Sequence, residues 1–231
     1  MSPLFSLLFL SCWEEPPPEH IPSIQLPLGG PPPSQGYQKD YRFTQDMFFG
    51  RSHLFSVALA PYKNKPNVQY LEIGVHEGRS FLWVLENIMT HPSSRLTGID
   101  LFDVGSGSFK PEEQYGNVQD YKQRYLYNIR LSGHEDRIDT QIGYSQEILK
   151  TLPPNTFDVI YIDGCHTETC AKEDAMLSWK LLKKGGRILF DDYNAKDFPG
   201  VYAGANMLYK ENYTSIRVIH SGWVLVMEKI Q

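Results

Sequence analysis

From residue 68 onward, short continuous apolar runs alternate with longer stretches whose apolar residues recur at helical spacing, the rhythm of strand followed by helix. Val68–Ile73 reads as a buried parallel strand and leads into the turn Gly74–Gly78. Ser80 can then cap a helix in which Phe81, Leu82, Leu85, Ile88 and Met89 share a face until His91-Pro92 stops it. Arg95–Asp100 is a second strand. Val118–Leu131 predicts a helix with Tyr121, Tyr125, Leu126 and Ile129 packed inward and Lys122, Arg124 and Arg130 on a solvated face. Ile138–Ile142 is a third strand, followed by Gly143-Tyr144-Ser145 and a helix through Leu152. Phe157–Asp163 is a near-continuous apolar strand, and a helix from about Thr167 to Leu182 follows it. Lys183-Lys184-Gly185-Gly186 then makes a reversal into a strand Arg187–Phe190. A last helix, Val201–Glu211, precedes two alternating strands, Thr214–His220 and Trp223–Lys229, joined by Ser221-Gly222 as a hairpin.

Upstream of this repeat the pattern changes. Residues 1–36 form a proline-rich leader or arm, with Pro16–Pro18 and Pro31–Pro33, expected to be extended. Residues 37–66 carry returning aromatic and apolar positions (Tyr41, Phe43, Phe48, Leu54, Phe55) and predict a helical cap that either packs on the sheet or covers a pocket. Residues 67–231 are the main domain. Leu4–Leu10 with Ser11 and Cys12 resembles a truncated signal segment ending in a lipoprotein-like box, but it lacks a basic start and falls far short of the roughly 20 residues that span a bilayer.

With 231 residues, 41% of them hydrophobic, the chain can build one well-cored α/β domain with appendages and no second large one. A formal net charge of −5 offers no general basic field for nucleic acid or an anionic membrane, so a small molecule is the expected partner. Cys12, Cys165 and Cys170 show neither a disulfide framework nor metal spacing, which predicts free thiols and a reducing, cytoplasmic setting.

The chemistry concentrates at strand ends. Glu72, Gly74 and Gly78 follow the first strand in an E-x-G-x-x-x-G pattern, without the middle glycine of a dinucleotide fingerprint. Asp100 closes the second strand, where an acid can accept both ribose hydroxyls of an adenosine ligand. Asp163 closes the fourth and Asp191-Asp192 the fifth, so in a parallel sheet three acids converge on one edge. Gathered carboxylates raise one another's pKa unless a cation neutralises them, and a hard divalent ion suits them. His166 follows Asp163 by one short turn and is either a general base or a structural partner of a carboxylate. Leu101–Gly116, rich in Gly, Ser and Pro, is a candidate active-site loop.

The glycine turn, the strand-end Asp100, D-G-x-H at Asp163–His166 and D-D-Y at Asp191–Tyr193 resemble the class I S-adenosylmethionine-dependent methyltransferases, close to small-molecule and sugar O-methyltransferases, over about residues 44–231. The resemblance implies a Rossmann-like, mostly parallel seven-stranded sheet with helices on both faces and a C-terminal antiparallel hairpin. It implies S-adenosylmethionine held by Glu72, Gly74, Gly78, Ser80, Asp100, Gly143, Tyr144, Ser145 and Asp163. It further implies Mg²⁺ held by Asp163, Asp191 and Asp192, with His166 and Asp163 catalytic and a hydroxylated small molecule as acceptor. Where catechol-type enzymes carry Asp-Asn, this chain has Asp191-Asp192. A homo-oligomer is a further expectation. The rival readings are a non-catalytic methyltransferase-like binding domain, anchored through Cys12, and a nicotinamide-dependent oxidoreductase, which the C-terminal hairpin argues against.

Overall fold

The computed structural model describes residues 16–28, 36–46, 48–102 and 118–231. Its centre is a seven-stranded sheet of β1 (Gln69–Ile73), β2 (Arg95–Asp100), β3 (Ile138–Ile142), β4 (Phe157–Ile162), β5 (Leu182–Phe190), β6 (Ile216–Ser221) and β7 (Leu225–Lys229). The spatial order is β3-β2-β1-β4-β5-β7-β6. β1 to β5 run parallel, while β7 is antiparallel to both β5 and β6, as the hairpin reading requires. Strands buried on both faces must be apolar at successive positions rather than alternate ones, and β4 (FDVIYI) and the Ile188–Phe190 end of β5 show why these runs read as continuous.

Successive residues of those strands feed two cores. Tyr70, Val159, Tyr161 and Leu189 face α1 (Ser52–Ala58), α2 (Arg79–Asn87) and α3 (Val118–Ser132). Leu71, Ile73, Ile160, Ile162 and Phe190 face α4 (Ser145–Thr151), α5 (Glu168–Leu181) and α6 (Pro199–Asn212). Helices α5 and α6 approach closely because Gly204 carries no Cβ, which would lie 2.7 Å from the Ala171 carbonyl.

Four local readings need correction. Ser80 does not cap α2: Gly78 is the N-cap, at φ +84°, and the Ser80 hydroxyl turns back into the protein. Lys183–Gly186 is not a turn before the strand but lies inside β5, as an excursion between the pairs Phe157↔Leu182 and Val159↔Arg187, where β5 advances further than β4. The cap is helical only over Ser52–Ala58, with 3₁₀ turns at Phe49–Arg51 and Ala60–Tyr62. It packs on the sheet, with Phe48, Leu54 and Phe55 in the first core. Finally, Cys165 and Cys170 are not free thiols but form a disulfide across the start of α5, which removes the free-thiol support for a reducing compartment.

The proline-rich arm wraps. Ile24 N–H donates to Ser221 Oγ (2.8 Å), Ser221 N–H to Ile24 O (2.7 Å), and Leu26 N–H to His220 Nδ1 (3.1 Å), so the arm covers the end of edge strand β6. Residues 1–15, including Cys12, residues 29–35, including Pro31–Pro33, and residues 103–116 of the candidate loop lie outside the described residues. No helix among the described residues is long and apolar enough to cross a membrane.

Candidate functional site

The carboxyl ends of β1, β2, β4 and β5 build the site, and their backbones touch there. Gly74 N–H donates to Ile99 O (2.8 Å) and Asp163 N–H to Ile73 O (2.8 Å), which ties the first turn to the ends of β2 and β4. Gly74 has φ +88°, and a Cβ on it would lie 2.0 Å from the Asp163 carbonyl oxygen. What crowds Gly74 is thus the protein's own β4 turn. At Gly78 the neighbour is the Tyr125 ring, 3.1 Å from a would-be Cβ. Among the described residues, three other than glycine or asparagine hold positive φ, namely His76, Phe102 and Asp192, and all follow strand ends of this edge. Such strain persists where surrounding structure enforces it, and it gathers at functional sites.

Asp100 sits where the β2 end meets the glycine turn. Its Oδ2 accepts the His76 N–H (2.8 Å) and its Oδ1 the Phe102 N–H (2.7 Å), leaving further lone pairs on each oxygen. Gly143, Tyr144 and Ser145 follow β3 beside it, where Gly143 N–H donates to Asp100 O and the Tyr144 ring is exposed. Ser145 opens α4 but is not its N-cap; its hydroxyl donates to the buried Asp174, whose pKa burial lifts to about 6.

Glu72 and Ser80, at the end of β1 and the start of α2, are both buried and bonded to each other. Glu72 is fully buried and accepts hydrogen bonds from Tyr70 Oη (2.5 Å) and Ser80 Oγ. Burial lifts its pKa from 4.5 to about 8 against the lowering effect of those two donors. A native-state pKa above the unfolded one penalises the fold as pH rises, from about 4.5 until the penalty is complete near 8, at roughly 5 kcal/mol. Glu72→Gln is therefore expected to flatten the decline of thermal stability between pH 5 and 8; parallel wild-type and variant profiles would show that Glu72 is not held protonated.

The acids at β4 and β5 do converge, though not as a simple triad. Among the described residues, one carboxylate oxygen each from Asp163 and Asp192 and one nitrogen of His166 lie within 4.8 Å of one another. His166 Nε2 is buried, lacks a well-aligned hydrogen-bond partner and ends 3.4 Å from Asp192 Oδ2. Its ring stacks on Phe198 at 4.1 Å. Asp191 points to Arg51, whose Nε donates to Asp191 Oδ1 at 2.6 Å while Nη2 donates to Asp192 Oδ1 at 3.2 Å. Burial and the charges of Asp191 and Asp192 push the Asp163 pKa well up. Asp191 is raised by burial despite Arg51. Asp192, though burial lifts it, is held below the usual carboxylate range by His166 and Arg51.

Several site residues carry no motif. Arg51 is one, lying 140 positions from Asp191. Trp223 is another: its ring, 54% exposed, stands with its centroid 6.0 Å from the Arg51 guanidinium carbon. Glu77, buried in the glycine turn, accepts from Thr44 N–H and Oγ1 and from Arg124 Nε, fastening that turn to the cap and α3. Only an acid inside the turn could have hinted at it.

A family profile described as a methyltransferase domain matches residues 71–193, which runs from β1 to the D-D-Y segment. The chain belongs to this methyltransferase-domain family. In a second comparison, an uncharacterised protein of Acanthamoeba polyphaga mimivirus is 30% identical over 165 residues, 68% of this chain and 67% of that protein. Among solved structures, the O-methyltransferase TomG of Streptomyces achromogenes, in complex with S-adenosylmethionine, superposes with a TM-score of 0.55 at 14% identity, over 78% of this chain and 81% of that one. An O-methyltransferase of Bacillus cereus in complex with S-adenosylhomocysteine gives 0.51 at 17% identity, over 77% of each chain. These two likenesses establish the fold. In this methyltransferase domain, the matched segment contains both the glycine turn and the acid cluster.

Proposed function

We propose that this methyltransferase domain is an S-adenosylmethionine-dependent O-methyltransferase that acts on a hydroxyl of a small molecule with the help of a divalent ion. The observation that carries the reading is the close approach of Gly74 to the Asp163 backbone, which supports taking the glycine turn and the acid cluster as parts of one site. Asp100 would hold the ribose, and Gly74, Gly78, Gly143, Tyr144 and Ser145 would line the adenosine, with Glu72 and Ser80 supporting the turn from behind. S-adenosylmethionine supplies a methyl group on a sulfonium. Asp163, Asp192 and His166 fit a cation, since one nitrogen of His166, whose buried Nε2 makes no well-aligned hydrogen bond, gathers with an oxygen of each carboxylate. Two oxygens and one nitrogen suit Mn²⁺ better than Mg²⁺, whose preferred shell is oxygen. Such an ion supplies acidity to an acceptor hydroxyl and orients its oxygen.

His166 Nε2 has two mutually exclusive uses: as a ligand, or, with no ion bound, as the base that takes the hydroxyl proton while Asp192 steadies the resulting imidazolium. The exposed Trp223 ring and Arg51 form the acceptor's rim, which favours a ring-bearing hydroxyl compound. Because S-adenosylmethionine is a cofactor of the cell interior, the cytoplasm is the compartment this reading requires. Calorimetric titration with S-adenosylmethionine, followed by a screen of hydroxylated metabolites with Mn²⁺ and after chelation, tests it. Heat on titration and chelator-sensitive methylation are expected. No cofactor binding defeats the enzyme reading, and chelator-insensitive turnover defeats the ion and returns His166 to the role of base.

A further inference from the structure

We infer that Arg51 is a built-in counter-cation of the acid cluster that competes with a divalent ion, so that loading the ion loosens the N-terminal cap. The inference rests on the divalent-ion reading above. Three carboxylates at the ends of two adjacent strands need positive charge nearby, and in this structure the guanidinium supplies it. Its Nε grips Asp191 Oδ1 at 2.6 Å and its Nη2 reaches Asp192 Oδ1 at 3.2 Å. Asp192 is the shared element. One of its oxygens faces Arg51 and the other lies 3.4 Å from His166 Nε2, so an ion drawn to Asp163, His166 and Asp192 meets the guanidinium across a single carboxylate. A unit positive charge beside a doubly charged ion in a partly desolvated site weakens ion binding, and the ion in turn weakens the hold of Arg51.

The position of Arg51 in the chain turns this local rivalry into a structural signal. It is the last residue of the 3₁₀ turn Phe49–Arg51 and leads directly into α1. The cap touches the cluster by a second route, in which Phe55 packs edge-on against Tyr161 (4.9 Å between centroids) and Tyr161 Oη donates to Asp163 Oδ2 at 3.2 Å. The cap therefore contacts all three acids, one through an aromatic pair and two through a single guanidinium. That guanidinium is the part an ion can replace.

Mn²⁺ titration of purified full-length wild type, Arg51→Gln and Arg51→Lys, by calorimetry and electron paramagnetic resonance, tests the competition. Arg51→Gln is expected to bind Mn²⁺ at least about tenfold more tightly than wild type, with Arg51→Lys close to wild type because the charge is kept. Without Mn²⁺ the Gln variant is expected to melt lower than wild type, and saturating Mn²⁺ to close most of that gap. Amide exchange on the wild type gives a readout independent of any variant: residues 48–62 are expected to exchange faster once Mn²⁺ is bound. Equal or weaker Mn²⁺ binding by Arg51→Gln, or unchanged exchange in the cap, overturns the inference and leaves the ion site standing. If Mn²⁺ binds none of the three proteins, the divalent-ion reading falls and this inference with it.

Discussion

Gly74→Ala is expected to leave little or no folded protein, whereas Gly185→Ala, a substitution at a similar backbone angle, is expected to cost only about 1 kcal/mol. Both glycines hold positive φ, +88° and +79°, so both substitutions force an L side chain into a conformation it avoids, at about 1–2 kcal/mol. They differ in surroundings. A Cβ at residue 185 meets nothing within 4 Å, while one at residue 74 would stand 2.0 Å from the Asp163 carbonyl oxygen and 2.6 Å from its carbon. Neither side of that contact yields readily. The Gly74 amide is bonded to Ile99 O and the Asp163 amide to Ile73 O, and both belong to the central strands. Relief would mean breaking the junction of β1, β2 and β4, a loss of more than about 4 kcal/mol against a typical stability of about 5–15 kcal/mol. Chemical denaturation of the two variants beside wild type measures the difference. Equal losses would show that backbone angle, not the crowding at Asp163, decides this position.

The contrast shows what a sequence exposes and what it hides. Continuous apolar strands and helical periodicity are local properties, so β1 to β5, their helices and the final hairpin were legible, and with them the edge on which Asp100, Asp163, Asp191 and Asp192 gather. The misreadings share a cause, which is that each depended on a particular contact that the local pattern of residues does not show. Ser80 looks like a helix cap because the pattern before α2 permits one, but its hydroxyl is claimed by Glu72 across the turn. Lys183–Gly186 has the composition of a turn, yet β4 beside it lets the segment remain within β5 as an irregularity. The cysteine spacing suggested no bridge, and only the start of α5 brings Cys165 and Cys170 together. Arg51 was hidden for the same reason: Asp191-Asp192 read as a pair because both close β5 on the edge that Asp163 shares, while the guanidinium that binds them comes from the cap, and nothing around Gly50-Arg51-Ser52 announces it.

Asp100→Ala is expected to weaken S-adenosylmethionine binding by about 100-fold or more while the protein stays folded. Two losses combine. In the proposed complex the carboxylate accepts the ribose hydroxyls, and bonds to a charged acceptor are worth about 1.5–3 kcal/mol each, with every 1.4 kcal/mol tenfold in affinity. The same carboxylate already accepts the His76 and Phe102 amides, at 2.8 and 2.7 Å, and these two residues hold φ of +49° and +47°. Removing the acceptor releases both strained residues at once, so the turn that should meet the adenosine loses its preorganised shape as well as its anchor. Asp100→Asn separates the two effects. Its one remaining carbonyl can keep a single amide, and its NH₂ group faces a donor where an acceptor was, so its affinity is expected to fall between wild type and Asp100→Ala. Calorimetry with S-adenosylmethionine and with S-adenosylhomocysteine measures both variants, and a melting curve confirms that each is folded. If Asp100→Ala binds S-adenosylmethionine as wild type does, the ribose is held elsewhere, and the carboxylate at the end of β2 serves only to brace His76 and Phe102.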